Sequence, residues 1–103
     1  MSTYSVICHN DRRMISGKML DANSTGCEVI SLDRSSVPVF AERSPVLLNI
    51  LDVKKKTIIN VVGRAVHARR EQDSWIYSFS WPRKPAQISQ SEIRADSESE
   101  TEK

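Results

Sequence analysis

Four side chains in this sequence could serve as bases, nucleophiles or soft metal ligands: Cys8, His9, Cys27 and His67. Nucleophilic catalysis would need an imidazole beside a thiol, itself oriented by a third group. A metal site would need ligands at a recurring short spacing such as Cys-x-x-Cys. Neither pattern occurs. Cys8 and His9 are adjacent, and adjacent residues on a strand point to opposite faces. A Gly-rich phosphate loop and a His-Glu-x-x-His pair are also missing. The chain is therefore expected to be non-enzymatic, with no catalytic residue, metal or cofactor.

The remaining chemistry is hydrogen bonding. Asp21-Ala22-Asn23-Ser24-Thr25-Gly26 is a polar turn between two apolar runs. Its Asp, Asn, Ser and Thr side chains fold readily onto nearby amides, and Gly26 is expected to take the positive φ that closes such a turn. A hairpin needs only two residues of this kind. Six leave groups to spare for a ligand, while the plainer reading is a wide solvated loop.

The elements that must carry this turn read as strands. Tyr4 to Cys8, Met14 to Leu20, Cys27 to Leu32, Val46 to Leu51, Thr57 to Arg70 and Ser74 to Trp81 are rich in β-branched and aromatic residues. Polar turns separate them at His9 to Arg13 and at Lys54-Lys55-Lys56. Pro38 and Pro45 keep the 33–45 stretch a connection, with Val37, Val39 and Phe40 free to cover an edge of the core. Val46, Leu48 and Ile50 share one face. The run from Thr57 exceeds the usual strand of about 5 to 6 residues, and a bulge or bend at Gly63 would let it serve two sides of a small barrel. Trp75, Tyr77, Phe79 and Trp81 alternate on one face and are expected inside, where large rings bury most area.

Residues 1–84 are thus expected to form one all-β domain and 85–103 a tail. Ser89-Gln90-Ser91-Glu92 has capping-box spacing for a short helix through Ile93 and Arg94, and Ser97 onward is acidic and expected to be disordered. The 103 residues suit a single core without staples. No run approaches the ~20 apolar residues of a membrane helix, and the first residues resemble neither a signal nor a transit peptide. A cytoplasmic protein with reduced thiols is expected. Five acids and two bases fall between Glu92 and Lys103, leaving 13 bases and 8 acids, net +5, for residues 1–91. That basic balance favours anionic partners.

At Asp21 to Gly26, followed by Cys27-Glu28-Val29-Ile30, the chain resembles the Asp/Asn-x-Ser-x-x-Gly motif of PilZ domains, bacterial β-barrels that bind cyclic di-GMP. Pro45 to Leu51, Gly63-Arg64-Ala65-Val66-His67 and Ser78-Phe79-Ser80-Trp81 resemble later PilZ segments in the same order, so the likeness covers about residues 4 to 82. It implies a six-stranded antiparallel barrel with Asp21 and Gly26 at the family's ligand positions and Asn23 where the family has Ser. The family's Arg-x-x-x-Arg, whose guanidinium groups pair with the phosphates, is missing. Arg12 and Arg13 are the nearest arginine pair, although they and Asp21 should lie at opposite ends of one strand. The resemblance implies a signalling adaptor that binds cyclic di-GMP weakly, or has lost it in favour of a protein partner. The alternative is a basic barrel that stacks single-stranded nucleic acid on the Trp75 to Trp81 row.

Overall fold

The computed structural model describes residues 4–89 and Ile93. Six strands form: β1 (Tyr4–His9), β2 (Met14–Ala22), β3 (Gly26–Ser31), β4 (Pro45–Asp52), β5 (Thr57–Glu71) and β6 (Ser74–Ser80). They close into an antiparallel barrel in the order β1-β2-β3-β6-β5-β4, with β4 returning to pair with β1. Closure gives every strand a partner on both sides. Pro45 is tolerated because it opens its strand.

The length of β5 has the expected purpose. Residues 57–64 pair with β4 and residues 64–71 with β6, so one strand turns a corner of the barrel. Of the bulge or bend expected at Gly63, the change of partner strand falls beside it, at Arg64, whereas the bulge lies at Val66, where the register with β6 shifts between Ala65 and His67. Gly63 has a different task. A Cβ there would stand 2.7 Å from the Ser80 carbonyl oxygen, so the corner is tight enough to require glycine.

Alternation fills the interior. Val46, Leu48 and Ile50 point inward as expected, and Tyr77, Phe79 and Trp81 are buried at 2%, 2% and 5% exposure. Phe40, from the 32–44 connection, closes one end with its ring edge-on to Tyr77 and Phe79, at 5.6 and 6.0 Å between centroids. The Tyr77 hydroxyl accepts from the Val39 amide at 3.1 Å, and Trp75 Nε1 donates to the Ser35 carbonyl at 2.8 Å. Val37 stays exposed. The aromatic row is therefore core, and only Trp75 is half-open, with the Arg70 guanidinium 5.9 Å from its ring centroid.

The opposite end is closed by the segment after β6. Ile88 and Ile93 are buried in the same cluster as the strands. The Tyr4 hydroxyl accepts from the Ser89 amide at 2.9 Å, and Lys84 Nζ donates to the Ile88 carbonyl. Of the expected short helix, the Ile93 amide donates to the Ser89 carbonyl at 3.4 Å; residues 90–92 and 94 lie outside the described residues, as does the acidic stretch from Ser97. At the lysine turn, the buried Asp52 carboxylate accepts from the Lys54 and Lys55 amides, both at 3.1 Å.

Candidate functional site: a groove outside the barrel

Two bulges build the site. On β2, Ile15, Gly17 and Met19 face inward, and strict alternation would send Asp21 inside next. An unpaired carboxylate there would be strongly destabilising. The register with β3 shifts between Met19 and Asp21, leaving Leu20 as the extra residue, so Ala22 takes the inward position and Asp21 faces out. The Val66 bulge does the same on β5: Ala65 and Ala68 face the core and His67 faces out. Asp21, Glu28, Ser78 and His67 consequently lie in one register row across β2, β3, β6 and β5.

The turn between β2 and β3 is held by its own atoms. Asn23 Oδ1 accepts from the Thr25 amide at 2.9 Å, the Thr25 hydroxyl at 2.8 Å and the Gly26 amide at 3.1 Å. The Asn23 amide donates to the Gly26 carbonyl at 2.8 Å. Trp81 clasps the turn from β6, its Nε1 donating to the Asn23 carbonyl at 2.9 Å and its amide to the Thr25 carbonyl at 3.0 Å. The surplus of hydrogen-bonding groups expected of this turn is thus largely consumed within it and by Trp81.

Gly26 also departs from expectation. No glycine here has positive φ. Gly26 is instead the first residue of β3, and a Cβ on it would stand 2.0 Å from the Phe79 carbonyl oxygen. Glycine is required by the close approach of two backbones.

Beside this turn runs a groove of about 350 Å³ lined by Asp21, Asn23, Thr25, Gly26, Glu28, Val66, Ser78 and Ser80. Its charges are two carboxylates, with no cation among these lining residues. Arg69 reaches its rim, where Nη1 lies 2.9 Å from Glu28 Oε2. That hydrogen bond is the main cause holding the Glu28 carboxyl below the usual carboxylate range, and it raises Arg69 in return. Arg69 is therefore already engaged by a carboxylate.

Asp21, Asn23 and Gly26 come together as the sequence reading expects, and Arg12 and Arg13 do not join them. Those arginines sit exposed in the β1–β2 turn, which the Asn10 side chain organises by accepting from both of their amides at 2.9 and 2.8 Å. They border a separate depression with His9 and Met14. From Arg13 to Asp21 the strand runs about 26 Å at ~3.3 Å per residue. Arg64, next to Ser80 in register, donates to the Arg43 carbonyl at 3.0 Å. Sequence reasoning missed Glu28, Val66, Ser78 and Ser80. The outward alternation of β3 and β6 marks Glu28, Ser78 and Ser80, but only the β3–β6 register unites them with Asp21.

The thiols and imidazoles stay apart. Cys8 and Cys27 are free and buried, whereas His9 and His67 belong to the outer face. Burial pushes the Cys8 thiol up to about 12, and Cys27 is raised by burial first and then by Cys8, Glu28 and Asp21. No group of three or more potential metal ligands exists among the described residues. Comparison with protein-family models, with curated proteins and with solved structures finds no match to this chain.

Proposed function

We propose that the chain is a non-catalytic signalling adaptor of PilZ type that has largely lost cyclic di-GMP and acts through a protein partner. The groove lining carries this reading. The turn that resembles half of a dinucleotide site is present and ordered, but the wall beside it offers two carboxylates where a dianionic ligand needs guanidinium groups. Losing two charge-assisted contacts of ~1.5 to 3 kcal/mol each lowers affinity by on the order of a hundredfold or more. Repulsion from Asp21 and Glu28 adds to that loss.

Isothermal titration with cyclic di-GMP is the test. Little or no heat is expected at ligand concentrations up to about 100 μM, a scale on which sub-micromolar binding would saturate. Sub-micromolar binding that Asp21→Ala abolishes would overturn the loss of the messenger. The nucleic-acid alternative receives no comparable support, because stacking needs open aromatic faces and three of the four rings in the row are buried.

A further inference from the structure

We propose that β5 carries a docking slot for an extended, acidic segment of a protein partner, which adds a short strand beside residues 58–62 in line with β6. The reason is that β5 outruns β6. Residues 57–64 of β5 pair with β4, but β6 ends at Ser80, opposite Arg64, so residues 57–63 have no strand on their other side.

The backbone groups that face this open side follow from the neighbouring bonds. Ala65 donates to the Ser44 carbonyl at 3.0 Å and accepts from the Arg43 amide at 2.6 Å, so its N–H and C=O point to the β4 side. Successive strand residues alternate in this respect. The N–H and C=O of Ile58, Asn60 and Val62 therefore point away from β4. Trp81 gives the same phase from β6: its amide turns to the Thr25 carbonyl, which sets the amide and carbonyl of Ser80 toward Arg64. Among the described residues, no hydrogen bond outside the ladders reaches Ile58, Asn60 or Val62. Three donors and three acceptors thus stand in a row about 13 Å long, at ~3.3 Å per residue, which is the pattern an added strand bonds to.

The chain's own continuation does not take this place. Pro82 and Pro85 lack the N–H that a ladder needs. The Ile88 amide returns to the Pro85 carbonyl, and the Ser89 amide crosses to the Tyr4 hydroxyl. Where β6 ends, a groove of about 480 Å³ remains, whose lining includes Val62, Gly63, Arg64, Ser80 and Pro82.

Two features set the chemistry of the occupant. Ile58 and Val62 hold β-branched side chains at 65% and 59% exposure on the outer face, which favours β-branched side chains at the opposed positions of the incoming strand. The stretches that bound the slot, 53–64 and 80–89, contain Lys54, Lys55, Lys56, Arg64, Arg83 and Lys84 and no acid. A strand that runs in the direction of β6 has its C-terminal end beside the lysine turn, and that is where its carboxylates belong. This inference names the partner chemistry of the adaptor reading and rests on it. The two tests fail separately, because cyclic di-GMP titration reports on the groove at Asp21 and peptide binding reports on β5.

The probe is the capped peptide acetyl-Val-Thr-Thr-Thr-Val-Glu-Glu-amide, titrated to about 1 mM into the isotope-labelled full chain, a range that detects dissociation constants near ~100 μM. By NMR, the free chain should exchange the amide hydrogens of Ile58, Asn60 and Val62 at least about tenfold faster than those of Ile59 and Val61. The peptide should shift the three slot resonances and slow their exchange. N-methylation of the central threonine removes the N–H opposite Asn60 and should weaken binding at least about tenfold. Lys55→Glu should weaken it by about threefold to tenfold and flatten its salt dependence; a thermal melt verifies that this variant is folded. Slot amides already protected in the free chain would mean that its own tail or a second copy holds the edge, which overturns the proposal. A peptide that does not bind, or that binds equally well when N-methylated, overturns it too.

Discussion

Replacing Gly26 with alanine tests whether the glycine of the β2–β3 turn serves the barrel. In the conformation Gly26 adopts, φ is not positive. On backbone entropy alone, Gly26→Ala should therefore stabilise by roughly 0.4 to 1 kcal/mol. The close approach reverses that sign. The added Cβ would meet the Phe79 carbonyl oxygen at 2.0 Å, and the Phe79 carbonyl carbon and Ser80 Cα at 3.1 Å each. All three are backbone atoms, so no side chain can swing away, and β3 and β6 have to part by more than 1 Å, about the shortfall from ordinary van der Waals separation. The two Trp81 bonds that clasp the turn depend on the same approach. Losing these together with one ladder bond costs about 2 to 4 kcal/mol at ~1 kcal/mol each, a large fraction of a typical domain's stability of ~5 to 15 kcal/mol. For a chain of this size the melting temperature should fall by roughly 10 to 25 °C. Asn23→Ala provides the comparison, because two of its three accepted bonds are exposed and the third is only partly buried, so its loss should cost about 1 kcal/mol, as at a helix cap. Differential scanning calorimetry of the three proteins decides the matter. If Gly26→Ala melts with or above the parent, the structural account of this glycine is wrong.

Two further outcomes concern ionisation. The folded-state pKa of Glu28 lies below its unfolded value, chiefly through Arg69; its stabilisation should be complete above the usual carboxylate pKa of about 4.3 and disappear as pH falls through the lowered value. The pair is partly exposed, so the effect is small, and the urea midpoints of parent and Arg69→Ala should differ above the usual carboxylate pKa of about 4.3 and draw together as pH falls below it; a gap that does not narrow on acidification would refute the linkage. The buried Cys8 thiol, raised to about 12, should carry on the order of a thousandfold less thiolate at pH 8 than a free cysteine of pKa ~8.5. A chromogenic disulfide reagent should accordingly label neither cysteine in minutes in the native protein and both in urea, and rapid native labelling would contradict the burial.

Much of the barrel was legible because its signals are local. Val46, Leu48 and Ile50, or Tyr77, Phe79 and Trp81, declare strands by alternation alone, and Thr57 to Arg70 was long enough to announce a strand shared between two sides. The bulges at Leu20 and Val66 were not legible. Neither position carries a glycine, and each exists because the inward and outward sets on either side of it must be rephased against partner strands. The pairing of β3 with β6 joins segments about fifty residues apart, and it brings Glu28 and Ser78 to the same wall as Asp21. The reason for Gly26 was hidden in the same way. A turn read in isolation asks for positive φ, whereas the requirement comes from the Phe79 backbone on the neighbouring strand.

The same requirement bears on the meaning of the turn from Asp21 to Gly26. Apart from Asp21, which faces the groove, the features that make it resemble a ligand loop have an employment within the fold. Asn23 organises Thr25 and Gly26, Gly26 admits the β6 backbone, and the Asn23 and Thr25 carbonyls receive Trp81. A sequence can therefore keep this motif for the sake of the barrel after the ligand has gone. On the reading proposed above, a binding barrel and an adaptor differ in the charge of the wall beside the turn. Here that wall presents Asp21 and Glu28, and the guanidinium within reach, Arg69, is held by Glu28. An anion entering the groove meets repulsion from both acids, and Nη1 of the arginine at its rim is already on Glu28. On the same reading, a cationic side chain would meet neither obstacle.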